Sequence, residues 1–278
     1  MPTHADLDLQ QQVNEYFESS SEYWKNIYWD DQLLPSIYQD RHNTALGWIR
    51  RLGLRRDARI LEIGCGAGLA SIALAKDGHT VDAMDSTMAM LDMTSRSARD
   101  HGVENRIRLH LGDVHALPFP SQTFDLVIAI GVLPWLHSER VAVEEMQRVL
   151  RLDGYLLVTA DNNARLIRIL DPASCPLFEA LRRIGKRVLQ RFGRWSPAPG
   201  FQAKRHDRNE VQRLMNQSGF HELQSCTIGF GPFTFFGKSL FPNSIGIGLH
   251  KRLQALASRG WSPLRWTGSH YLVLAAKS

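Results

Sequence analysis

A chain of 278 residues is long enough for one large α/β domain, or for one domain carrying a substantial insertion. A hydrophobic content of 44% against 22% charged residues excludes a disordered polypeptide, and no apolar run approaches the ~18 residues of a membrane span. The net charge of +5 is uneven: Ala164 to Arg208 holds 11 Lys or Arg against 3 Asp or Glu, leaving the remainder about −3, unlike the broad basic face of a nucleic-acid enzyme.

Three scattered cysteines, Cys65, Cys175 and Cys226, suggest neither a disulfide framework nor a zinc site, and no metal is expected. Met1 to Gln12 is polar and acidic, unlike a secretory leader, so the expected residence is cytoplasmic. In chain order, Leu9, Val13, Tyr16 and Phe17 fall at helical spacing. With Tyr23, Trp24, Tyr28 and Trp29 they give residues 1–55 the character of a helical cap, either packed on the domain or closing over a ligand. A helix is predicted over Asp40 to Leu52, with Leu46, Trp48 and Ile49 inward.

The core begins at Arg59. Ile60 to Ile63 is an apolar strand that runs into Gly64, Gly66 and Gly68 and then into a helical pattern through Leu69, Ile72, Ala73 and Ala75. Strand, glycine turn and helix open a nucleotide-binding βαβ unit, where the chain turns sharply and a ligand lies against bare backbone. A dinucleotide fingerprint would want a third glycine at Leu69 and has no role for Glu62. The second strand, Thr80 to Met84, ends at Asp85, where a carboxylate can accept from both ribose hydroxyls. A helix follows from Thr87 to His101, stopped by Gly102. Ile107 to Leu111 is the third strand and leads to Gly112-Asp113; Phe124 to Ile130 is the fourth, apolar throughout as in a strand covered on both faces. Ser138 caps a helix to Leu150, and Asp153-Gly154 turns into a fifth strand, Tyr155 to Ala160.

From there the pattern changes. Leu177, Leu181, Ile184, Val188 and Phe192 form one stripe, with Arg182, Arg183, Lys186, Arg187 and Arg191 off it. Such a helix either covers the sheet or lies on an anionic lipid surface or acidic substrate. Asp207 and Glu210 read as a capping box for a helix to Ser218. Glu222 to Ile228 and His270 to Ala276 are the last two strands, separated by an excursion rich in phenylalanine, including Phe233 and Phe236.

The ordered set Glu62 with the alternate glycines, Asp85, Asp113 and Phe124 to Ala129 resembles the class I S-adenosylmethionine-dependent methyltransferases, especially the small-molecule group that includes the quinone methyltransferases. The series Tyr16-Phe17, Trp24, Ile27-Tyr28 and Arg41-His42 is also similar to the N-terminus of magnesium-protoporphyrin methyltransferases. The resemblance implies a Rossmann-like α/β fold with a seven-stranded, mostly parallel sheet in the order 3-2-1-4-5-7-6 and helices on both faces. It divides one globular unit into a cap (1–55), a cofactor-binding core (56–162), a basic helical insertion (163–206) and the C-terminal part of the core (207–278).

By the same resemblance S-adenosylmethionine is the cofactor. Glu62, Gly64, Cys65, Gly66 and Gly68 surround its methionine part, Asp85, Ser86 and Thr87 its ribose, Asp113 and Val114 its adenine, and Ile130 and Gly131 offer carbonyls to its ammonium. The implied reaction moves a methyl group to oxygen or carbon of a small, hydrophobic or amphipathic acceptor. A base would suit a hydroxyl acceptor, and His137, then His115, are the candidates. Tyr16, Trp24, Tyr28, Trp135, Phe233 and Phe236 are the candidate acceptor walls. Residues 131–135 lack an Asn-Pro-Pro-Tyr-like run, which argues against methylation of nucleic-acid bases. A macromolecular acceptor, or a non-catalytic cofactor-binding protein, are the competing readings. The basic helix adds an expected peripheral contact with anionic membrane.

Overall fold

The computed structural model describes residues 4–20, 23–24, 31–191 and 203–278. Tyr28, Trp29 and the turn-rich stretch 195–199 lie outside them. Helices α1 (His4–Ser19) and α2 (Leu33–Arg51) precede the sheet. The core follows as β1 (Arg59–Ile63), α3 (Leu69–Lys76), β2 (Thr80–Asp85), α4 (Met88–Asp100), β3 (Ile107–Leu111), β4 (Phe124–Ala129), α5 (Glu139–Val149) and β5 (Leu150–Asp161). Next come α6 (Leu166–Leu170), α7 (Glu179–Arg191), α8 (Arg208–Gln217) and β6 (Phe220–Ile228). A two-stranded hairpin, β7 (Thr234–Phe235) and β8 (Lys238–Ser239), leads to α9 (Asn243–Ser258) and β9 (His270–Lys277).

The seven-stranded sheet has the order β3-β2-β1-β4-β5-β9-β6. With β9 as its seventh strand this is the expected order. The first five strands pair in parallel, and β9 runs antiparallel to both β5 and β6. Both faces are covered. Phe124, Val143, Met146, Val149, Val211 and Met215 pack under α5 and α8 on one side. Leu46, Trp48, Ile49, Ile60, Leu74 and Leu272 pack under α2 and α3 on the other. Each such fully buried side chain contributes about 1.5–3 kcal/mol relative to exposure, which is why the central strands tolerate so little polarity. Ser138 caps α5 by accepting from the Val141 amide, and Asp207 with Glu210 forms a reciprocal capping box on α8.

Three expectations change. The fifth strand starts at Leu150, because Asp153 takes a positive φ of 61° inside a continuing strand rather than ending one. The excursion between β6 and β9 contains the 16-residue helix α9. Of the apolar stripe of the basic segment, the described side chains do not cover the sheet: Leu177, Leu181 and Ile184 are 88, 66 and 59% exposed.

Candidate active site

β1 and β4 lie side by side while their following helices pack on opposite faces, so a crevice opens beyond their C-terminal ends. The cavity found there is floored by the glycine turn. Gly64 has φ +65°, and a Cβ on it would stand 2.6 Å from Val132 Cγ2. Gly66 has φ +54° with open space where its Cβ would be, which is the approach a ligand needs. Gly68, at φ +79°, starts α3 against Thr94 and stands behind the lining. Cys65 lines the cavity and is buried, with Sγ 3.7 Å from Thr94 Oγ1.

Four carboxylates line this space: Asp161 at the end of β5, and the three borne by or following β1 to β3. Glu62 is buried at the end of β1 and accepts a hydrogen bond from Ser71 Oγ. Burial outweighs its two hydrogen bonds from Ser71, and the nearby Asp85 adds to it, pushing its pKa up to about 7. Asp85, at the tip of β2, accepts from the Gly66 amide at 3.0 Å and from the amide and hydroxyl of Thr87 at 3.1 Å each. Burial raises its pKa against those bonds. Thr87 is the N-cap of α4 and holds Asp85 from behind, while Ser86 lines the cavity and donates to Asn14 of α1 at 2.8 Å. Asp113 accepts from the His115 amide at 2.9 Å and lies 2.7 Å from His115 Nδ1. Burial pulls its pKa up, but those bonds and the charges of His115 and His137 hold it below the usual carboxylate range. Val114, Ile130 and Gly131 complete the walls, and the Gly131 amide donates to Thr159 Oγ1 at 2.7 Å.

The two candidate bases sit elsewhere. His115 and His137 stack on each other with ring centroids 3.5 Å apart, behind Asp113 and outside the lining. The second residue after Asp113 turns back to orient that carboxylate, so His115 is a positioning group in this geometry. Among the acceptor candidates, Trp24 and Trp135 line the cavity. Tyr16 covers Trp135 from outside, stacked at 5.2 Å, and is itself 42% exposed. Phe233 is buried instead among Leu33, Ile37 and Phe230, and Phe236 points to solvent at the hairpin tip with 66% exposure. Neither touches the cavity; the excursion packs on α2 rather than over the sheet's ligand edge.

Several lining residues were given no site role from sequence, among them the polar Tyr38, Arg41 and His42 of α2 and Asp161 at the end of β5. Arg41 is buried, stands over the Tyr38 ring at 4.6 Å, and approaches the place of a Gly131 Cβ to 3.6 Å. Burial, with Arg41 and Arg50 nearby, pushes the His42 pKa down to about 4. The spacing of Tyr38, Arg41 and His42 on one helical face was the available signal. Among the described residues no group of His, Cys, Asp and Glu could hold a metal ion, and no helix is long and apolar enough to cross a membrane.

Comparison with known proteins agrees with this architecture. Residues 61–158 match the methyltransferase domain family. The uncharacterized methyltransferase YcgJ of Bacillus subtilis is 34% identical over 127 residues, 44% of this chain and 50% of that protein. The malonyl-[acyl-carrier protein] O-methyltransferase of Enterobacter lignolyticus is 38% identical over 120 residues, 43% of this chain and 45% of that one. The chain thus spans about half the length of these curated relatives. Among solved structures, magnesium protoporphyrin IX methyltransferase from Synechocystis PCC 6803 superposes with a TM-score of 0.63 over 97% of this chain and all of the other. At 16% identity that likeness bears on the fold alone. The match covers the glycine turn and the carboxylate-bearing strands, so residues 61–158 carry a methyltransferase domain, set in the strand order expected of the class I S-adenosylmethionine-dependent methyltransferase fold.

Proposed function

We propose that this protein transfers the methyl group of S-adenosylmethionine to oxygen or carbon of a small, amphipathic acceptor. The observation that carries the reading is the convergence of Glu62, Asp85 and Asp113 on one cavity floored by an open glycine turn. Each carboxylate suits a different donor group: Asp85 the ribose hydroxyls, Asp113 the adenine amino group, Glu62 the ammonium. A cavity lined by these acceptors and by Trp24 and Trp135 fits a cationic, partly aromatic ligand, since indole faces attract cations. When bound, S-adenosylmethionine supplies an electrophilic methyl carbon. The chain's own work is positioning, which can contribute on the order of 7–11 kcal/mol to the barrier.

An amphipathic acceptor is favoured by two exposed apolar edges that lie outside the cavity lining. Leu177, Phe178, Leu181 and Ile184 are exposed beside Arg183, Arg187 and Arg191. Phe235, Phe236, Leu240 and Phe241 are exposed on the neighbouring hairpin, whose Thr234 hydroxyl and Gly237 amide both donate to Asp171. Two apolar edges fastened together beside basic side chains suit an anionic lipid surface, and we place the enzyme there peripherally. Calorimetry with S-adenosylhomocysteine and with NAD tests the cofactor. Incubation with labelled donor and a cellular lipid extract tests transfer. Binding of NAD but not of S-adenosylhomocysteine would sink the reading, and no sedimentation with phosphatidylglycerol vesicles would remove the membrane.

A further inference from the structure

We infer that Asp161 is the catalytic base, taking the proton from a hydroxyl group of the acceptor, and that the product is a methyl ether. This rests on the methyl-transfer reading above and names its acceptor chemistry.

Of the carboxylates that line the cavity, three are engaged by their own chain. Glu62 accepts from Ser71, Asp85 from Gly66 and Thr87, and Asp113 from His115. The Asp161 carboxylate accepts no hydrogen bond among the described residues, and its side chain is 29% exposed. His270 Nε2 stands 3.8 Å from it, beyond hydrogen-bond reach, and burial keeps that imidazole neutral. Arg41 lines the same cavity and attracts Asp161 through charge alone. A half-buried carboxylate with open lone pairs at a cavity wall is placed to accept from a ligand.

Its position in the sheet says which part of the ligand it meets. Thr159 and Asp161 alternate onto one face of β5, and Thr159 Oγ1 accepts from the Gly131 amide at 2.7 Å. Gly131 follows β4, where the backbone carbonyls suit the donor's ammonium, so Asp161 stands beside the methionine end of the donor, where the methyl group is carried. His115 and His137 lie behind Asp113 and outside the lining, which leaves Asp161 as the unengaged carboxylate there.

In the step itself a hydroxyl oxygen uses a lone pair to form the O–CH3 bond. The carbon–sulfur bond breaks, and its electron pair returns to sulfur, turning the sulfonium into a neutral thioether. The attacking oxygen gains positive charge as it bonds, and its proton becomes far more acidic than a carboxylic acid. Asp161 takes that proton, so a carboxylate suffices where a resting alcohol would need a much stronger base. Burial raises the Asp161 pKa against the charges of Arg41, Arg165, Arg205 and His206, which makes it a better proton acceptor than a solvated aspartate.

The test pairs two substitutions in the full chain. Asp161→Asn keeps an acceptor oxygen but cannot hold the proton, and Asp161→Leu can do neither. Each protein, saturated with S-adenosylhomocysteine, is titrated with octanol and with octyl methyl ether, followed by the fluorescence of the cavity's tryptophans. Octanol is expected to bind about fivefold more tightly than the ether, a preference that Asp161→Asn keeps and Asp161→Leu loses. In the lipid-extract labelling, Asp161→Asn should lose roughly 100-fold or more in transfer rate while S-adenosylhomocysteine affinity stays within about threefold. The methyl label should resist mild alkali, as an ether does. Equal affinity for octanol and the ether in the natural protein overturns the assignment, whether or not the variants fold. So does an Asp161→Asn variant that transfers at the natural rate, or label released as methanol by alkali, the mark of an ester. An Asp161→Asn variant that loses S-adenosylhomocysteine in proportion to its rate also overturns it, since the carboxylate would then serve the donor. Failure of S-adenosylhomocysteine to bind the natural protein defeats the methyl-transfer reading itself, and the base with it.

Discussion

Glu62 offers a perturbation whose two consequences have opposite signs. The folded protein holds this carboxyl at about 7, against an ordinary 4.5, because it is buried. An acid with a raised pKa binds its proton more tightly when folded. It therefore contributes stability that is fully present below 4.5 and is lost as pH rises through about 7. The gap between those values, at ~1.4 kcal/mol per pH unit, puts the cost of ionisation at about 3 kcal/mol. Glu62→Gln keeps the shape and an acceptor for Ser71 but cannot ionise, so it recovers most of that energy at pH 8. A chain of this length gains roughly 2 °C per kcal/mol, so the variant should melt about 5 °C above the natural protein at pH 8, the difference narrowing to ~1 kcal/mol at pH 5. Donor affinity should move the other way. Losing a charged partner for the ammonium costs about 1.5–3 kcal/mol, or roughly 10- to 100-fold in the dissociation constant at pH 8. Scanning calorimetry from pH 5 to 8 and titration calorimetry with S-adenosylhomocysteine measure both. A variant that melts lower at pH 8, or binds the product as well as before, refutes the assignment of Glu62 as a strained, ligand-facing acid.

Asp85→Ala removes the acceptor for two ribose hydroxyls and should weaken S-adenosylhomocysteine at least tenfold by calorimetry; an unchanged constant would mean that β2 does not reach the ribose. Gly64→Ala puts a methyl group 2.6 Å from Val132 Cγ2 at a φ of +65°, and should lose both stability and donor binding, measured by melting and titration. His115→Gln should raise the Michaelis constant for the donor by disorienting Asp113 and leave turnover within about threefold; a fall in turnover beyond ~100-fold with donor affinity intact would restore a proton-transfer role. Phe233→Ala should cost about 3 kcal/mol by denaturation, as a large residue removed from a core, without a specific effect on the acceptor's Michaelis constant.

The legible part of this chain is the part where local chemistry and function coincide. Gly64 and Gly66 turn the chain and floor the cavity with the same residues, and Asp85 and Asp113 stand at or just past the ends of strands that an apolar run announces. The less legible part is assembled across distance. Arg41 reaches the cavity because α2 packs on β9 and α3, a placement that no local pattern encodes. Helix α9 escaped notice because Pro242, Gly246 and Gly248 give it the composition of a loop; Gly246 is there to let Leu33 approach, 3.1 Å from where a Cβ would be. His137 stands near the ligand edge in sequence, but its ring stacks on His115. Orientation of a side chain is set by its neighbours, and these lie 22 residues upstream.

The position of β9 bears on how the protein is made. This strand fills the gap between β5 and β6, yet it is encoded roughly 110 residues after β5 ends. During synthesis the apolar edge of β5, Leu156 to Ala160, has no partner until the final strand emerges, because its other side is already committed to β4. Pairings of such long sequence separation form late, since the intervening loop must first be closed. The nascent chain therefore passes through a state with a half-built sheet and an open, flat, hydrophobic strand, the species on which chaperones act and from which aggregates grow.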